Sequence, residues 1–211
     1  MKLFCVYGST GRTPLISFTS RVRLGESVFS SRALSKMIDV LRAKGVDGVI
    51  IGSTSIELAL KRDSFEGDVD LLVTSESVLV NYGVLEEVAR SYGCTLGSTW
   101  LGTPSITCFI DNEEVTADLY ENMHDFYIPN EMVEDAIEYQ VHGTRVKAIK
   151  PEDYIVLKAF AGRSEDLEAL RKIGEIIRRR ELKIDRRLVE LRAELFNERR
   201  SILRRLSEYL W

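Results

Sequence analysis

Two aspartates that stand two positions apart, Asp68 and Asp70, are the side chains best suited to chemistry in this sequence. The apolar residues that alternate with them, Val69, Leu71 and Val73, are typical of a strand that lies on a core. Because side chains alternate faces along a strand, both carboxylates point to the same side. Two like charges on a core strand are costly unless a cation neutralises them. Oxygen ligands favour hard cations, so the pair predicts a magnesium site.

A Gly-Ser pair ahead of these aspartates predicts a phosphate-binding turn. Gly52 allows a sharp turn and a close approach of the backbone to a ligand. Thr54 and Glu57 stand at capping-box spacing, so we expect a helix to begin at or near Ser53. The free N–H groups and positive dipole end of that helix would suit a phosphate. A phosphate cradle beside a carboxylate pair is the equipment of metal-assisted phosphoryl or nucleotidyl transfer.

A third carboxylate, Asp118, lies within the strand-like run EEVTADLY. The order Gly-Ser, short helix, Asp-x-Asp and apolar residues resembles the signature of the polymerase-beta-type nucleotidyltransferase superfamily. The resemblance implies that Asp68 and Asp70 hold magnesium and nucleotide. It also implies that Asp118, on a later strand of the same sheet, completes a site for two Mg²⁺ ions and helps to activate the attacking hydroxyl. The alternatives are a solvated loop and edge strand for the pair, and a solvent-facing acid for Asp118.

A second segment, IKPEDYIVLKAFAGRSEDLEAL, resembles the abortive-infection and toxin–antitoxin subgroup of the same superfamily, the minimal nucleotidyltransferase-like proteins. In that subgroup a helix that begins near Pro-Glu-Asp carries a lysine, and an aspartate opens the next helix. Lys158 and Asp166 match this pattern. The resemblance implies that Lys158 joins Gly52 and Ser53 in binding the nucleotide phosphates, and that Asp166 supports the site or the lysine. The alternative is a surface lysine and an ordinary helix N-terminal acid.

One position departs from the superfamily pattern. Glu66 stands two positions before Asp68, where many relatives place Ser or Thr. A carboxylate there would repel a triphosphate unless it points away from the site. The direction of Glu66 therefore bears on whether the protein turns over a nucleotide.

Hydrophobic periodicity and the resemblance together predict an α+β fold, with a nucleotidyltransferase-type mixed β-sheet flanked by helices and a C-terminal helical region. The predicted domains are residues 1–150, in which 1–29 could form an edge hairpin, and residues 151–211, packed on the first domain. Asp111 and Asn112 are predicted to form a two-residue hairpin turn.

The predicted helices start from caps and apolar spacing. One begins at Ser31 and another runs from Val84 to Tyr92, where Gly93 ends it. Met132 to Tyr139 is predicted as a further helix. Pro151 opens a helix, and one long helix is expected from Asp185 nearly to the C-terminus.

Composition indicates a soluble globular protein: 45% of the 211 residues are hydrophobic and 29% are charged. No apolar run reaches the roughly 18–20 residues that span a membrane, and the apolar start is too short for a secretory signal, so a cytoplasmic location is predicted. Cys5, Cys94 and Cys108 are expected to be reduced and buried, without zinc. His124 and His142 are expected to lie on the surface or in loops.

The charge is unevenly spread along the chain. Residues 171–211 carry 13 Lys and Arg against 7 Asp and Glu, a net charge of +6, whereas the rest of the chain has a net charge of −10. The basic part could be a nucleic-acid or partner surface. It could equally be the ion-paired face of ordinary solvated helices.

The leading hypothesis is a magnesium-dependent nucleotidyltransferase that moves an NMP from an NTP, with ATP as the favoured donor, to a hydroxyl of RNA, such as tRNA, or of protein. A toxin–antitoxin or defence system with a partner protein is the context that the resemblance suggests. The alternatives are a nucleotidyltransferase-fold binding protein with little or no catalysis, and an adaptor that binds nucleic acid through its C-terminal helices.

Overall fold

The structure is a computed structural model that describes residues 27–123 and 126–211. Cys5, His124 and all but the last three residues of the edge hairpin predicted for 1–29 lie outside these residues. In chain order the described elements are β1 (Val28–Ser30), α1 (Ser31–Arg42), β2 (Gly48–Ile50), α2 (Ser53–Ala59), β3 (Ser64–Glu66), β4 (Val69–Val73), α3 (Gly83–Tyr92), β5 (Thr95–Ser98), β6 (Pro104–Ile110), β7 (Glu113–Tyr120), α4 (Asn130–Glu134), β8 (Ile137–Val141), β9 (Thr144–Ala148), α5 (Pro151–Ala161), α6 (Ser164–Arg178), α7 (Arg186–Ala193) and α8 (Arg199–Tyr209).

Seven of the described strands form one mixed sheet in the order β5-β6-β7-β4-β2-β9-β8. The pairs β4–β7 and β2–β9 are parallel, and the other pairs are antiparallel. β1 pairs with β3 in a separate two-stranded sheet. Helices cover both faces of the large sheet, which confirms the predicted mixed sheet flanked by helices.

Several local predictions are confirmed. α1 begins at Ser31, and the Oγ of Ser30 accepts a hydrogen bond from the N–H of Ala33. Gly93 ends α3 in the left-handed conformation, with φ of 67°. Asp111 and Asn112 have φ angles of 52° and 67°, as a two-residue hairpin turn requires. This hairpin joins β6 to β7 and fixes their register.

The helix expected from Met132 to Tyr139 is wrong. α4 ends at Glu134, and the residues that follow form β8. β8 turns into β9 through His142 and Gly143, whose φ angles of 48° and 88° suit a hairpin. Ile137, Tyr139 and Val141 alternate at the strand period, but so short an apolar run also fits a helix. Pairing with β9 makes this segment a strand and not a helix, and that pairing cannot be predicted from the residues of the segment itself.

The single long helix expected from Asp185 is also wrong, because the chain leaves helical geometry between α7 and α8. Phe196 lies in this break and turns into the core, where its ring centroid is 4.4 Å from that of Phe160. Leu195, the residue before Phe196, stays 37% exposed. Burial of a large aromatic ring outweighs the continuation of the helix here.

The prediction of reduced thiols is wrong for Cys94 and Cys108, which form a disulfide with Cα atoms 4.3 Å apart. β5 and β6 are antiparallel with Thr95 opposite Thr107, so the two cysteines next to this pair face each other. Cross-strand pairing of this kind leaves no mark in the spacing of cysteines along the sequence.

α5 is the helix on which the C-terminal region packs. It is buried along nearly its whole length and contacts α2, α6, α7 and α8. Its charged residues therefore enter the core, and two of them, Asp153 and Lys158, are fully buried. No helix in the described residues is both long and apolar enough to cross a membrane.

A buried ion pair ties α5 to α7. The Nε of Arg192 donates a 2.7 Å hydrogen bond to Asp153, and its second nitrogen bonds to Asp135. Burial raises the pKa of Asp153 to about 6, although Arg192 opposes the shift. The arrangement stabilises the fold only while the cation is present, because a lone buried carboxylate is costly.

We expect Arg192→Leu to lower the free energy of unfolding by about 3–5 kcal/mol. Without the cation, the pKa of Asp153 rises further above its unfolded value. The folded state then holds a proton that the unfolded state has released, so stability falls as pH rises through this window. Urea unfolding should show a larger loss at pH 8 than at pH 5.

The matched control is Arg199→Leu, which removes an exposed pair with Glu194. It should change stability little and show no such pH dependence. Equal losses for the two variants at both pH values would contradict the assignment.

Candidate active site

The carboxylates of Asp70 and Asp118 meet because of strand register. β4 and β7 are parallel neighbours, and Asp70 stands directly opposite Asp118. Residues opposite one another on adjacent strands point to the same face of the sheet. Asp68 lies one residue before β4, and its charge also acts on Asp70. The three predicted acids are thus brought to one region of the sheet.

Asp70 is the most deeply buried of the three acids. Its side chain is buried, and its Oδ1 has no hydrogen-bond partner among the described residues. Burial raises the pKa of Asp70 well above its ordinary value, and the charge of Asp118 raises it further, while Lys158 opposes the shift. An unpartnered carboxylate oxygen inside a protein is costly, which makes this atom a candidate ligand for a cation.

The turn at Gly52 touches this carboxylate. A Cβ placed on Gly52 would lie only 2.0 Å from the Oδ2 of Asp70. The N–H of Ile51 also donates a 2.9 Å hydrogen bond to the main-chain oxygen of Asp70. The absence of a side chain at Gly52 therefore lets the first turn of α2, which opens with Ser53, approach the acid.

The predicted capping box at the start of α2 is wrong. Gly52 is the N-cap residue, and no side chain caps the helix. Thr54 lies inside α2, two positions after the N-cap residue. Glu57 instead accepts a hydrogen bond from the N–H of Glu66. The predicted start of the helix at or near Ser53 is nevertheless confirmed, because α2 begins at Ser53.

Lys158 and Asp166 lie together in the interior. The Nζ of Lys158 is 2.7 Å from Asp166, and neither side chain is exposed, so the alternative of a surface lysine is excluded. Arg163 donates from its Nε to the other carboxylate oxygen of Asp166 at 2.7 Å. Lys158 also lies over the ring of Tyr154, 5.5 Å from its centroid. This network brings a positive charge close enough to act on Asp70.

Glu66 is exposed, whereas Asp70 is buried. It is exposed at the end of β3, on the side opposite the buried Phe65. Its charge acts on Glu57, and the charges that raise the pKa of Asp70 are those of Asp118 and Asp68. The departure from the superfamily pattern therefore does not place a fourth carboxylate beside Asp70.

Two residues at the site were missed in the sequence analysis. The hydroxyl of Tyr120 donates to the Oδ2 of Asp118 at 3.3 Å. Tyr120 follows Asp118 by two positions, so strand alternation could have placed it on the same face. Ser105 lies opposite Asp118 on β6 and is buried. Only the register of β6 against β7 identifies Ser105.

The acids fit a divalent cation in chemistry but do not yet converge on one point. No group of three or more His, Cys, Asp or Glu side chains within 27–123 and 126–211 is arranged so that it could hold a metal ion. Joining Asp68, Asp70 and Asp118 around one ion therefore requires a side-chain rotation. The all-oxygen donor set and the unpartnered Oδ1 of Asp70 suit a hard cation such as Mg²⁺.

Residues 30–208 match the family described as nucleotidyl transferase of unknown function (DUF2204). No curated protein matches the sequence significantly.

Two solved structures are similar to the chain. An antigenic nucleotidyltransferase-like protein from Paracoccidioides brasiliensis shares 14% identity with a TM-score of 0.49, covering 86% of this chain and 89% of that one. The antibiotic-resistance factor ANT(2'')-Ia shares 14% identity with a TM-score of 0.43, covering 85% of this chain and 90% of that one.

We expect Gly52→Ala to weaken the binding of a divalent cation about 10- to 100-fold, because the added methyl group displaces the Oδ2 of Asp70. The φ of −92° at Gly52 suits any residue, so the effect arises from the contact and not from the backbone. Calorimetric titration with Mn²⁺ would measure it. In the control Gly83→Ala, the new Cβ meets only Asn81, at 3.9 Å. Equal Mn²⁺ affinity in both variants would rule out Asp70 as a ligand.

Glu57 provides a pH test of the same region. Burial raises the pKa of Glu57 to about 7. Because this folded-state pKa exceeds the unfolded value of 4.5, the carboxylate makes the fold less stable as pH rises from about 4.5 to 7. Glu57→Gln removes this titration and can still accept from the N–H of Glu66. The variant should gain stability over the wild type by about 1–2 kcal/mol between pH 5 and pH 8, after allowance for partial exposure. A constant difference in urea midpoint would contradict this.

Proposed function

We propose that this chain, which belongs to the nucleotidyl transferase family that it matches over residues 30–208, moves an NMP from an NTP to an acceptor hydroxyl. The observation that carries the proposal is the register that sets Asp118 beside the buried, partly unpartnered carboxylate of Asp70. In the reaction the acceptor oxygen bonds to the α-phosphorus, the α–β anhydride bond breaks, and pyrophosphate leaves. We take ATP as the favoured donor.

Each site residue has a proposed part in this reaction. Asp68, Asp70 and Asp118 would hold Mg²⁺, which supplies Lewis-acid chemistry at the phosphoryl oxygens when bound. Asp118 is the candidate to take the proton of the acceptor hydroxyl, and the hydroxyl of Tyr120 orients it.

The remaining residues would receive the nucleotide. Gly52 and Ser53 present main-chain N–H groups at the start of α2 to its phosphates. Lys158, held by Asp166, supplies positive charge beneath the acids. Because Lys158 is fully buried, its direct contact with a phosphate would require the network around Asp166 to open.

The acceptor is proposed to be a hydroxyl of RNA, including tRNA, or of a protein, in the cytoplasm and with a partner protein as in toxin–antitoxin or defence systems. A nucleotide-binding protein with little catalysis is the second candidate. It is favoured by the acids that do not yet converge and disfavoured by the exposed position of Glu66.

The test is transfer of label from each α-labelled NTP, with Mg²⁺, to total RNA and to lysate protein. We expect the wild type to transfer label and Asp70→Asn to be slower by roughly 10³-fold or more, because it removes a charge that acts on the reacting groups. The control is Glu86→Gln, at an exposed acid of α3 outside the site.

The outcomes separate the two candidates. Label on a product with the wild type and with Glu86→Gln supports catalysis and identifies the class of acceptor. Nucleotide binding without transfer from any NTP would overturn the proposal in favour of a binding protein.

A further inference from the structure

A strongly basic segment joins α6 to α7. Residues 178–187, with the sequence RRRELKIDRR, carry six Lys and Arg against two acids, a net charge of +4. We call this segment the basic turn. All six of its cations are exposed: Arg178, Arg179, Arg180, Lys183, Arg186 and Arg187. The concentration of charge makes the basic turn the part of the C-terminal region best suited to a polyanion.

The cations of the basic turn have no acidic partner within residues 27–123 and 126–211. Elsewhere in the C-terminal region Arg171, Arg192 and Arg199 form ion pairs. Among the described residues, none of the six cations has a carboxylate within 4.0 Å. The alternative of an ion-paired, solvated helix face therefore does not describe this segment.

The two acids of the basic turn have other partners. Glu181 pairs with Arg62 at 3.7 Å. The carboxylate of Asp185 caps α7 and accepts from the N–H groups of Arg187 and Leu188. Both negative charges thus serve the fold, and the cations remain available to a ligand.

An aromatic ring lies beside these cations. The guanidinium of Arg186 lies 4.1 Å from the ring centroid of Trp211, and 42% of Trp211 is exposed. Exposed aromatic rings next to arginines are the surfaces on which single-stranded bases stack. Five of the six cations are arginines, whose planar guanidinium binds phosphate through two hydrogen bonds. An acidic protein could bind the positive charge of the basic turn, but its binding would not explain the exposed ring of Trp211.

The positive surface continues toward the acids. Glu181 links the basic turn to Arg62, which follows α2 after Leu60 and Lys61. Lys61 and Arg62 line a cavity of about 340 Å³ in which Asp63 is the one acid among the lining residues, against these two cations. The seven residues of α2 span about 10 Å, and its other end is the turn at Gly52 beside Asp70. A strand bound along this surface would extend toward the site.

We infer that the basic turn, with Arg62 and Lys61, binds the phosphate backbone of single-stranded RNA and directs an RNA hydroxyl toward Asp70. The catalytic consequence rests on the proposed function, but the binding does not. RNA is therefore the class of acceptor that the structure favours over protein.

The test is fluorescence anisotropy with a labelled single-stranded RNA of about 20 nucleotides, between about 50 and 200 mM salt. If six phosphates are contacted, log K should fall with log salt at a slope of about −4. Arg179→Glu/Arg180→Glu/Arg187→Glu should make the slope shallower by about 2 and weaken binding at least about tenfold. The control, Arg90→Glu/Arg145→Glu/Lys147→Glu, makes the same charge change at exposed sites elsewhere and should bind like the wild type.

Three results would overturn the inference. The first is equal RNA affinity in the wild type and the basic-turn variant. The second is competition by polyglutamate as effective as competition by unlabelled RNA, which would assign the surface to an acidic protein. The third is equally effective competition by single-stranded DNA of the same sequence.

A transfer assay separates this inference from the proposed function. We expect the basic-turn variant to raise KM for RNA while kcat is retained, and Asp70→Asn to bind RNA like the wild type. Tight RNA binding through the basic turn, without transfer from any NTP, would support the inference about RNA binding and overturn the proposed function. Transfer of label to RNA with an unchanged KM in the basic-turn variant would support the proposed function and overturn the inference that the basic turn binds RNA.

Discussion

The burial of one carboxylate, that of Asp70, constrains everything around it. A negative charge inside a sheet is tolerated only where positive charge, hydrogen-bond donors or a cation compensate for it. The residue opposite, Asp118, adds repulsion instead of relief. Gly52 must lack a side chain so that the backbone can come close, and Lys158 must bring its charge into the interior. A site with this much uncompensated negative charge suits a cation, which is the part that the proposed function gives it.

The C-terminal helices follow from the same constraint. α5 carries Asp153 and Lys158 into the core, and neither could stay there alone. Arg192 from α7 compensates the first, and Asp166 from α6 the second. The helices after α5 therefore supply countercharges as well as apolar cover. This dependence gives a physical reason for the helical region to pack on the sheet, and it couples the field at Asp70 to residues almost a hundred positions later in the chain.

Much of the local structure was predictable from the sequence, although the capping box of Thr54 and Glu57 was not, and the long-range pairing was not predictable. Alternation along β4 and the turn at Asp111 are properties of a few neighbouring residues, and both predictions are confirmed. The strand β8, the disulfide of Cys94 and the break at Phe196 depend on segments that meet only in the folded chain. For the same reason the sequence could nominate three acids but could not place Ser105 beside them.

The acidic and basic residues of the chain lie in different parts of the fold. The acids of the site lie on the sheet, where they repel one another, while the cations of residues 178–187 stay exposed and unpaired among the described residues. If an anionic chain binds the basic turn as inferred above, most of that chain is held away from Asp68 and Asp70, and only its end reaches them. Glu66 is exposed, and Arg62 pairs with Glu181 of the basic turn. Such a division of charge suits an enzyme that modifies the terminus of a polyanion better than one that modifies its interior.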